Sequence, residues 1–151
     1  MEIMDDISWQ ILGYLQQNAR LSYRELAQKV NLSAPAVAER VRKLEDAGII
    51  TGYRAIVDVK KIGFPILAIV RMTSGGEKYE RLIAGITEIP EVIECHRVTG
   101  SECFVLKVLA RSMQHLENVI NRLIEYGQVV TSIVLSSPLQ ERIINRLESN
   151  G

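Results

Sequence analysis

Apolar residues recur at helical spacing over the first third of the chain and at strand-like spacing beyond it. Ile7, Ile11, Leu12 and Leu15 share one face of a first helix that Asp5 or Asp6 can cap and that ends near Asn18. Ser22 with Glu25 three residues on is a capping box, in which each side chain bonds the other residue's backbone N–H. It opens a short helix with Leu26, Ala27 and Val30 as its buried stripe. Asn31 breaks the chain and Ser33 caps again. Pro35 then sits in a first turn, where a missing N–H does no harm. The third helix runs to about Ala47, with Gly48 as its stop. Ala34, Val37, Ala38, Val41 and Leu44 face its core side. Pro35, Ala36, Glu39 and Lys43 face away, flanked by Arg40 and Arg42.

From Ile49 to Val59 the pattern alternates, which predicts an extended arm or hinge strand ending near Lys60–Gly63. The segments beyond it predict strand (Ile66–Met72), helix (Tyr79–Thr87), strand (Val92–Thr99), strand (Phe104–Ala110), helix (Ser112–Tyr126) and strand (Val129–Leu135). Gly75-Gly76 marks the loop before the first of these helices. Met113, Leu116, Val119, Ile120 and Leu123 give the second the clearest helical period in the chain. Two βαβ units in tandem describe a ferredoxin-like βαββαβ sandwich, with both helices on one face of a four-stranded antiparallel sheet. The expected fold class is α+β, with an N-terminal helix-turn-helix (winged-helix-like) domain over 1–48 and a hinge over 49–62. The ferredoxin-like domain occupies 63–138. The tail, 139–151, carries Leu139, Ile143, Ile144 and Leu147 at near-helical spacing and can form a short terminal helix.

The strands are apolar on both sides: Leu67 and Ile69 oppose Ala68 and Val70, and Val105 and Leu109 oppose Phe104, Leu106 and Val108. A sheet with one wet face alternates apolar and polar residues. This one does not, so a second subunit is expected on the bare face, giving a homodimer at least.

Composition narrows the function classes. At 47% hydrophobic and 5% aromatic, the 151 residues can build an aliphatic core. No apolar run approaches the ~20 residues of a membrane span. The N-terminus is acidic where a signal peptide would be basic. No membrane association and a cytoplasmic location are therefore expected. Lys+Arg and Asp+Glu balance at 18 each, but the total hides an asymmetry. Arg20 to Lys43 holds six cations against two anions, whereas residues 61–151 carry ten of each sign.

Two short helices joined by a turn of about three residues, the second with a basic outer face, make a helix-turn-helix, and its partner would be double-stranded DNA. The first turn of the third helix offers Ala34, Pro35 and Ala36, none able to make the bidentate contacts that read guanine or adenine. Phosphate contacts from Arg40, Arg42 and Lys43 should dominate, with specificity drawn from DNA shape and with degenerate, A·T-rich sites. The candidate DNA-binding set is Ser22, Tyr23, Ser33, Ala34, Pro35, Ala36, Glu39, Arg40, Arg42 and Lys43.

Nothing in the sequence supports an enzyme. His96 falls in a strand and His115 at a helix start, neither beside a catalytic partner. With Thr99 facing Cys103 across a tight turn, Cys95 pairs near Lys107, and the two sulfurs are out of register for a disulfide or a metal. No phosphate loop, dinucleotide fingerprint or metal cluster occurs, so no cofactor is expected. The turn Thr99-Gly100-Ser101-Glu102-Cys103 reads first as a polar hairpin turn. It also gathers hydroxyls, a carboxylate and a glycine-permitted N–H nest, the groups a free amino acid needs.

Three stretches together resemble the Lrp/AsnC (leucine-responsive/asparagine-sensing) transcriptional regulators. They are Leu32 to Leu44, Ala47-Gly48-Ile49-Ile50-Thr51-Gly52-Tyr53, and Glu94-Cys95-His96-Arg97-Val98-Thr99-Gly100. The resemblance runs from Asp6 to Pro138. It implies a DNA-binding helix-turn-helix, a hinge strand and a C-terminal domain that senses ligand and dimerises through its sheets, often into octamers. It implies a small effector, commonly an amino acid, held between dimers near the Thr-Gly turn. Carried onto this chain, the effector residues are Thr99, Gly100, Ser101, Glu102 and Cys103, with Gln128, Thr131 and Ser132 beside them. Many members have Asp where this chain has Cys103, so Glu102 substitutes for it, the effector differs, or the protein senses nothing. Two other readings stand beside this one: a DNA-binding architectural protein without effector, and a small-molecule-binding enzyme or carrier built on the ferredoxin-like half.

Overall fold

The computed structural model describes residues 4–73, 79–101 and 103–146. Within these the chain forms two compact units, one up to Ile56 together with the tail from Leu139, the other Val57–Pro138. In the first unit, the Asp5 carboxylate caps α1 (Asp6–Gln17) by accepting from the Ser8 N–H. Ser22 and Glu25 form the full capping box of α2 (Tyr23–Val30). Asn31 takes a left-handed conformation at φ 53°, which ends α2 and turns the chain toward Ser33, the cap of α3 (Ala34–Asp46). Ile11, Leu15, Leu26, Ala27, Val30, Val37, Val41 and Leu44 make the core of the three helices, so the helical spacing marked the buried faces correctly.

The arm after Gly48 differs from expectation. Residues 51–58 belong to no strand among the described residues, because no neighbouring backbone lies alongside to form a ladder. Its anchor is a side chain instead: Tyr53 Oη donates to Glu45 Oε1 at 2.9 Å, and burial with this bond pushes the phenol pKa up to about 12. The tail also differs. Residues 139–146 are not helical, and Leu147 lies outside the described residues. Gln16 holds the tail by its backbone, donating to Ile144 O at 2.9 Å and accepting from Ile144 N at 2.8 Å. Arg146 Nη1 adds a bond to Asp6 Oδ1 at 2.7 Å, so contacts with α1, not a helical ladder of its own, hold the tail.

The second unit is a four-stranded antiparallel sheet in the order β2-β3-β1-β4, with β1 (Ile66–Thr73), β2 (Val92–Arg97), β3 (Phe104–Ala110) and β4 (Gln128–Ile133). Between the strands run α4 (Tyr79–Thr87) and α5 (Met113–Ile124, capped by Ser112). Leu82 and Ile86 of α4 and Leu116, Val119 and Leu123 of α5 pack on Ala68, Val70, Met72, Phe104, Leu106 and Val108. Both helices therefore cover one face, as a ferredoxin-like sandwich requires. Met113, in the first turn of α5, is exposed rather than part of this stripe. The Gly75-Gly76 loop lies outside the described residues.

Pairing of Leu67 with Leu109, Ile69 with Lys107 and Arg71 with Val105 and Val130 puts these residues on the opposite face. That face mixes aliphatics with a charged strip in which Lys107 Nζ donates to Glu94 Oε1 at 3.0 Å. No described element covers it. His115 is structural. Its Nδ1 accepts from the Arg111 N–H, so Nε2 carries the proton and donates to Glu91 Oε1 at 2.9 Å, tying the segment before β2 to α5.

Candidate nucleic-acid interface and effector turn

The outer face of α3 is presented by a helix whose other face is fixed by Val37, Val41 and Leu44, all essentially inaccessible. Pro35, Glu39, Arg42 and Lys43 are exposed there, Ala34 and Ala36 half-buried, and Ser33 exposed with its Oγ occupied by the Ala36 N–H at 3.3 Å. Glu39 bridges both outer cations: it accepts from Arg42 Nη2 and lies 3.5 Å from Lys43 Nζ. Exposed pairs of this kind are worth little and exchange readily for a stronger anion. Glu39 thus holds two cations on one ridge without cancelling their availability to phosphate.

Arg40 departs from its expected place on this face. Its Nη1 donates to both Asp5 oxygens, at 2.7 and 2.8 Å, and to Ser8 Oγ at 3.2 Å, and its side chain is only 24% exposed. One helical step inward from the outer ridge, its shortest ionic partner is the N-terminus of α1 rather than solvent. The Ser8 N–H and the Arg40 guanidinium together hold the Asp5 carboxyl down to about 2. Sequence reasoning missed Asp5 and Ser8 as partners. The available signal was Ser8 itself, a polar residue on the buried stripe of α1.

On α2, Ser22 is spent on the capping box: its Oγ accepts from Glu25 N and donates to Glu25 Oε2. Tyr23 is exposed beside it at the helix start. Arg20 and Arg24 are exposed, while Lys29 sits 5.1 Å from the centre of the Tyr14 ring, a cation–π contact that draws it toward α1.

The turn between β2 and β3 joins the sheet end where β1 finishes and β4 begins. Val98 N donates to Cys103 O and Cys103 N to Met72 O, both at 2.9 Å. Val98, not Thr99, therefore faces Cys103, and Cys95 pairs with Leu106 rather than near Lys107, because the loop spans four residues instead of three. Both cysteines are free. Thr99, Gly100 (φ 118°) and Ser101 are exposed, and Ser101 O accepts from Thr73 Oγ1 at 3.2 Å. Gln128 stands opposite Thr73, so it shares this end of the sheet with the turn. Thr131 and Ser132 lie further along β4, opposite Val70 and Ile69, hence on opposite faces from one another. Glu102 lies outside the described residues. Cys103 packs its side chain against the core as a small apolar group and serves the turn through its backbone. Among the described residues no group of His, Cys, Asp or Glu is placed to hold a metal ion, and no helix is long and apolar enough to cross a membrane.

Residues 4–51 match the family model for winged helix-turn-helix DNA-binding domains, and residues 67–144 match that for the Lrp/AsnC ligand-binding domain. The HTH-type transcriptional regulator LrpC of Bacillus subtilis is 41% identical over 133 residues, covering 88% of this chain and 92% of the relative. Its solved structure superposes with a TM-score of 0.86, covering 91% of this chain and 97% of that one. E. coli AsnC, 32% identical, superposes with a TM-score of 0.85 over 93% of this chain and 97% of that one. A Neisseria meningitidis transcriptional regulator solved as an L-Met complex, 26% identical, reaches 0.88 over 93% and 96%. Helix-turn-helix, ferredoxin-like sheet and family models agree along nearly the whole chain: it belongs to the Lrp/AsnC family of DNA-binding transcriptional regulators.

Proposed function

We propose that the chain regulates transcription by laying the outer face of α3 against the major groove of promoter DNA. The observation that carries this reading is the exposed Arg42–Lys43 ridge, held on a helix capped at its start and buried along its back. Ser22, Tyr23, Ser33, Ala34, Pro35, Ala36, Glu39, Arg42 and Lys43 form the contacting set. The apolar first turn of α3 brings no base-reading fork, so phosphate contacts and DNA deformability set the site preference, which is degenerate. A gel shift on the duplex upstream of its own gene tests the assignment. Wild type binds and Arg42→Ala/Lys43→Ala binds more weakly; equal binding by both sinks it.

The open face of the sheet, with Leu67, Ile69 and Val105 half-buried and Val130 exposed, is the surface for a second copy of the chain. In a dimer the two α3 helices address successive major grooves about one helical turn apart. Assembly of four dimers into an octamer would let the complex bend or wrap DNA. The effector is an amino acid bound between dimers at the Thr99–Ser101 turn with Gln128. The L-Met complex of the Neisseria regulator supports that ligand class. The protein works in the cytoplasm. A thermal-shift screen against the twenty amino acids tests the effector: at ~100 times its dissociation constant a ligand adds ~2.7 kcal/mol. A rise that Thr99→Ala removes supports the turn. No rise with any amino acid favours an architectural role without effector, which the packing of Cys103 into the core also accommodates.

A further inference from the structure

The core of the helical unit is aliphatic except at one point. Ser8 is the one polar residue buried among the described residues, 2% exposed, and it lies where the start of α1 meets the middle of α3. Asp5 serves two helices there. One carboxylate accepts the Ser8 N–H at 2.8 Å, capping α1, and receives Arg40 Nη1 on both oxygens. Arg40 completes the set by reaching Ser8 Oγ at 3.2 Å.

The other buried contacts of α3 are the aliphatic ones of Val37, Val41 and Leu44, with Ala34 half-buried beside them; a further side-chain bond, Glu45 with Tyr53, lies at the far end of the helix on the arm. Aliphatic packing is non-directional, and helix packing scatters by about 15–20° around its preferred angles. A charge-assisted hydrogen bond is directional. Arg40 precedes Arg42 and Lys43 by less than one turn, so its tether fixes the rotation of α3 about its own axis where the direction of those two side chains is decided. A half-buried side chain whose Nη1 is bonded to both oxygens of one carboxylate and to Ser8 Oγ fits a tether rather than a free cation.

We propose that Arg40 is a positioning residue: its bonds to Asp5 and Ser8 set the roll of α3 so that Arg42 and Lys43 face the phosphates, and Arg40 itself contacts none. This rests on the reading that the outer face of α3 binds DNA.

Removing the carboxylate discriminates between the possibilities, because charge and position then predict opposite signs. Asp5→Asn keeps a good N-cap and deletes a negative charge. If Arg40 is a phosphate ligand that Asp5 merely restrains, this variant binds DNA as tightly as wild type or tighter. If Arg40 positions α3, the variant binds more weakly. Affinity for the upstream duplex is measured by fluorescence anisotropy at several salt concentrations for wild type, Asp5→Asn, Arg40→Gln, the double variant and Arg42→Ala/Lys43→Ala. Circular dichroism gives the folded fraction of each at the assay temperature.

The expected result is a loss of about tenfold in each single variant and a double variant no weaker than either, since both break one bond set. Three results overturn the proposal: undiminished binding by Asp5→Asn, a fall of about 0.9 in the salt slope of Arg40→Gln alone, as a lost phosphate contact gives, or a loss that vanishes after correction for folded fraction. Undiminished binding by Arg42→Ala/Lys43→Ala would instead fault the underlying reading of α3.

Discussion

Leu26 tests whether the helical unit stands on its own core. It lies at the middle of α2, is fully inaccessible, and belongs to the cluster with Ile11, Val37, Val41 and Leu44. Leu26→Ala removes three buried carbons, about 2.4 kcal/mol at ~0.8 kcal/mol each. The cavity left among rigid helices raises the cost to about 3–4 kcal/mol. A domain of that size shifts its midpoint by ~4–8 °C per kcal/mol, so the helical transition should fall by roughly 12–30 °C. The sheet unit has a separate core built on Met72, Leu106 and Val119, and its transition should hold its position. Differential scanning calorimetry of the full chain reads both. A drop of only a few degrees would show that Leu26 does not close the three-helix core. An equal drop in both transitions would show that the two units fold as one.

Acid should weaken the helical unit through Asp5. Its carboxyl is lowered from 3.8 to about 2 in the folded state, so the associated stability is complete above about pH 4 and is lost as pH falls toward 2. The side chain is 34% exposed, and with solvent screening allowed for the loss is about 1–2 kcal/mol. Urea midpoints between pH 5 and 2 should fall more steeply for wild type than for Asp5→Asn; parallel curves would contradict this. At Gly85 of α4, an added Cβ would overlap the ring of Tyr126. Gly85→Ala should therefore lower the midpoint of the sheet unit by about 1 kcal/mol despite better helix propensity. In a Tyr126→Ala background the same substitution should stabilise, and an unchanged sign would refute the clash. On the open sheet face, Ile69→Asp should convert the proposed dimer to monomer in sedimentation velocity, whereas an unaltered sedimentation coefficient would contradict an interface on this face.

Local signals carried most of the fold. Caps at Asp5, Ser22 and Ser33 and the stops at Asn31 and Gly48 act within a few residues, and each appears where the side-chain chemistry requires it. The helices and strands of the sheet unit were legible for the same reason. Spacing of Leu116, Val119 and Leu123 already defines a buried helix face, whereas the strands, apolar on both sides, were legible as strands but not as to which face the helices cover. What escaped was tertiary. A strand over 51–58 needs a neighbour, and alternation of side chains says nothing about whether one is there. The tail is held by the side chain of Gln16, remote in sequence, which overrides its weak helical spacing. In the site, Arg42 and Lys43 lie where the helical wheel puts them, but Arg40 is claimed by Asp5 across 35 residues. A wheel assigns a side chain to an angle, and only the packing of α1 reveals that this angle is occupied.

Salt dependence tests the central claim most directly. Affinity of the wild-type protein for the upstream duplex, measured between 50 and 200 mM salt, should fall steeply, with a slope of about −0.9 for every phosphate neutralised. Arg42→Ala/Lys43→Ala should weaken binding and flatten that slope by about 1.8 per protomer, both contacts having gone. Weakened binding with an unchanged slope would mean that the ridge on α3 does not touch phosphate. A wild-type slope near zero would contradict the phosphate-dominated interface altogether.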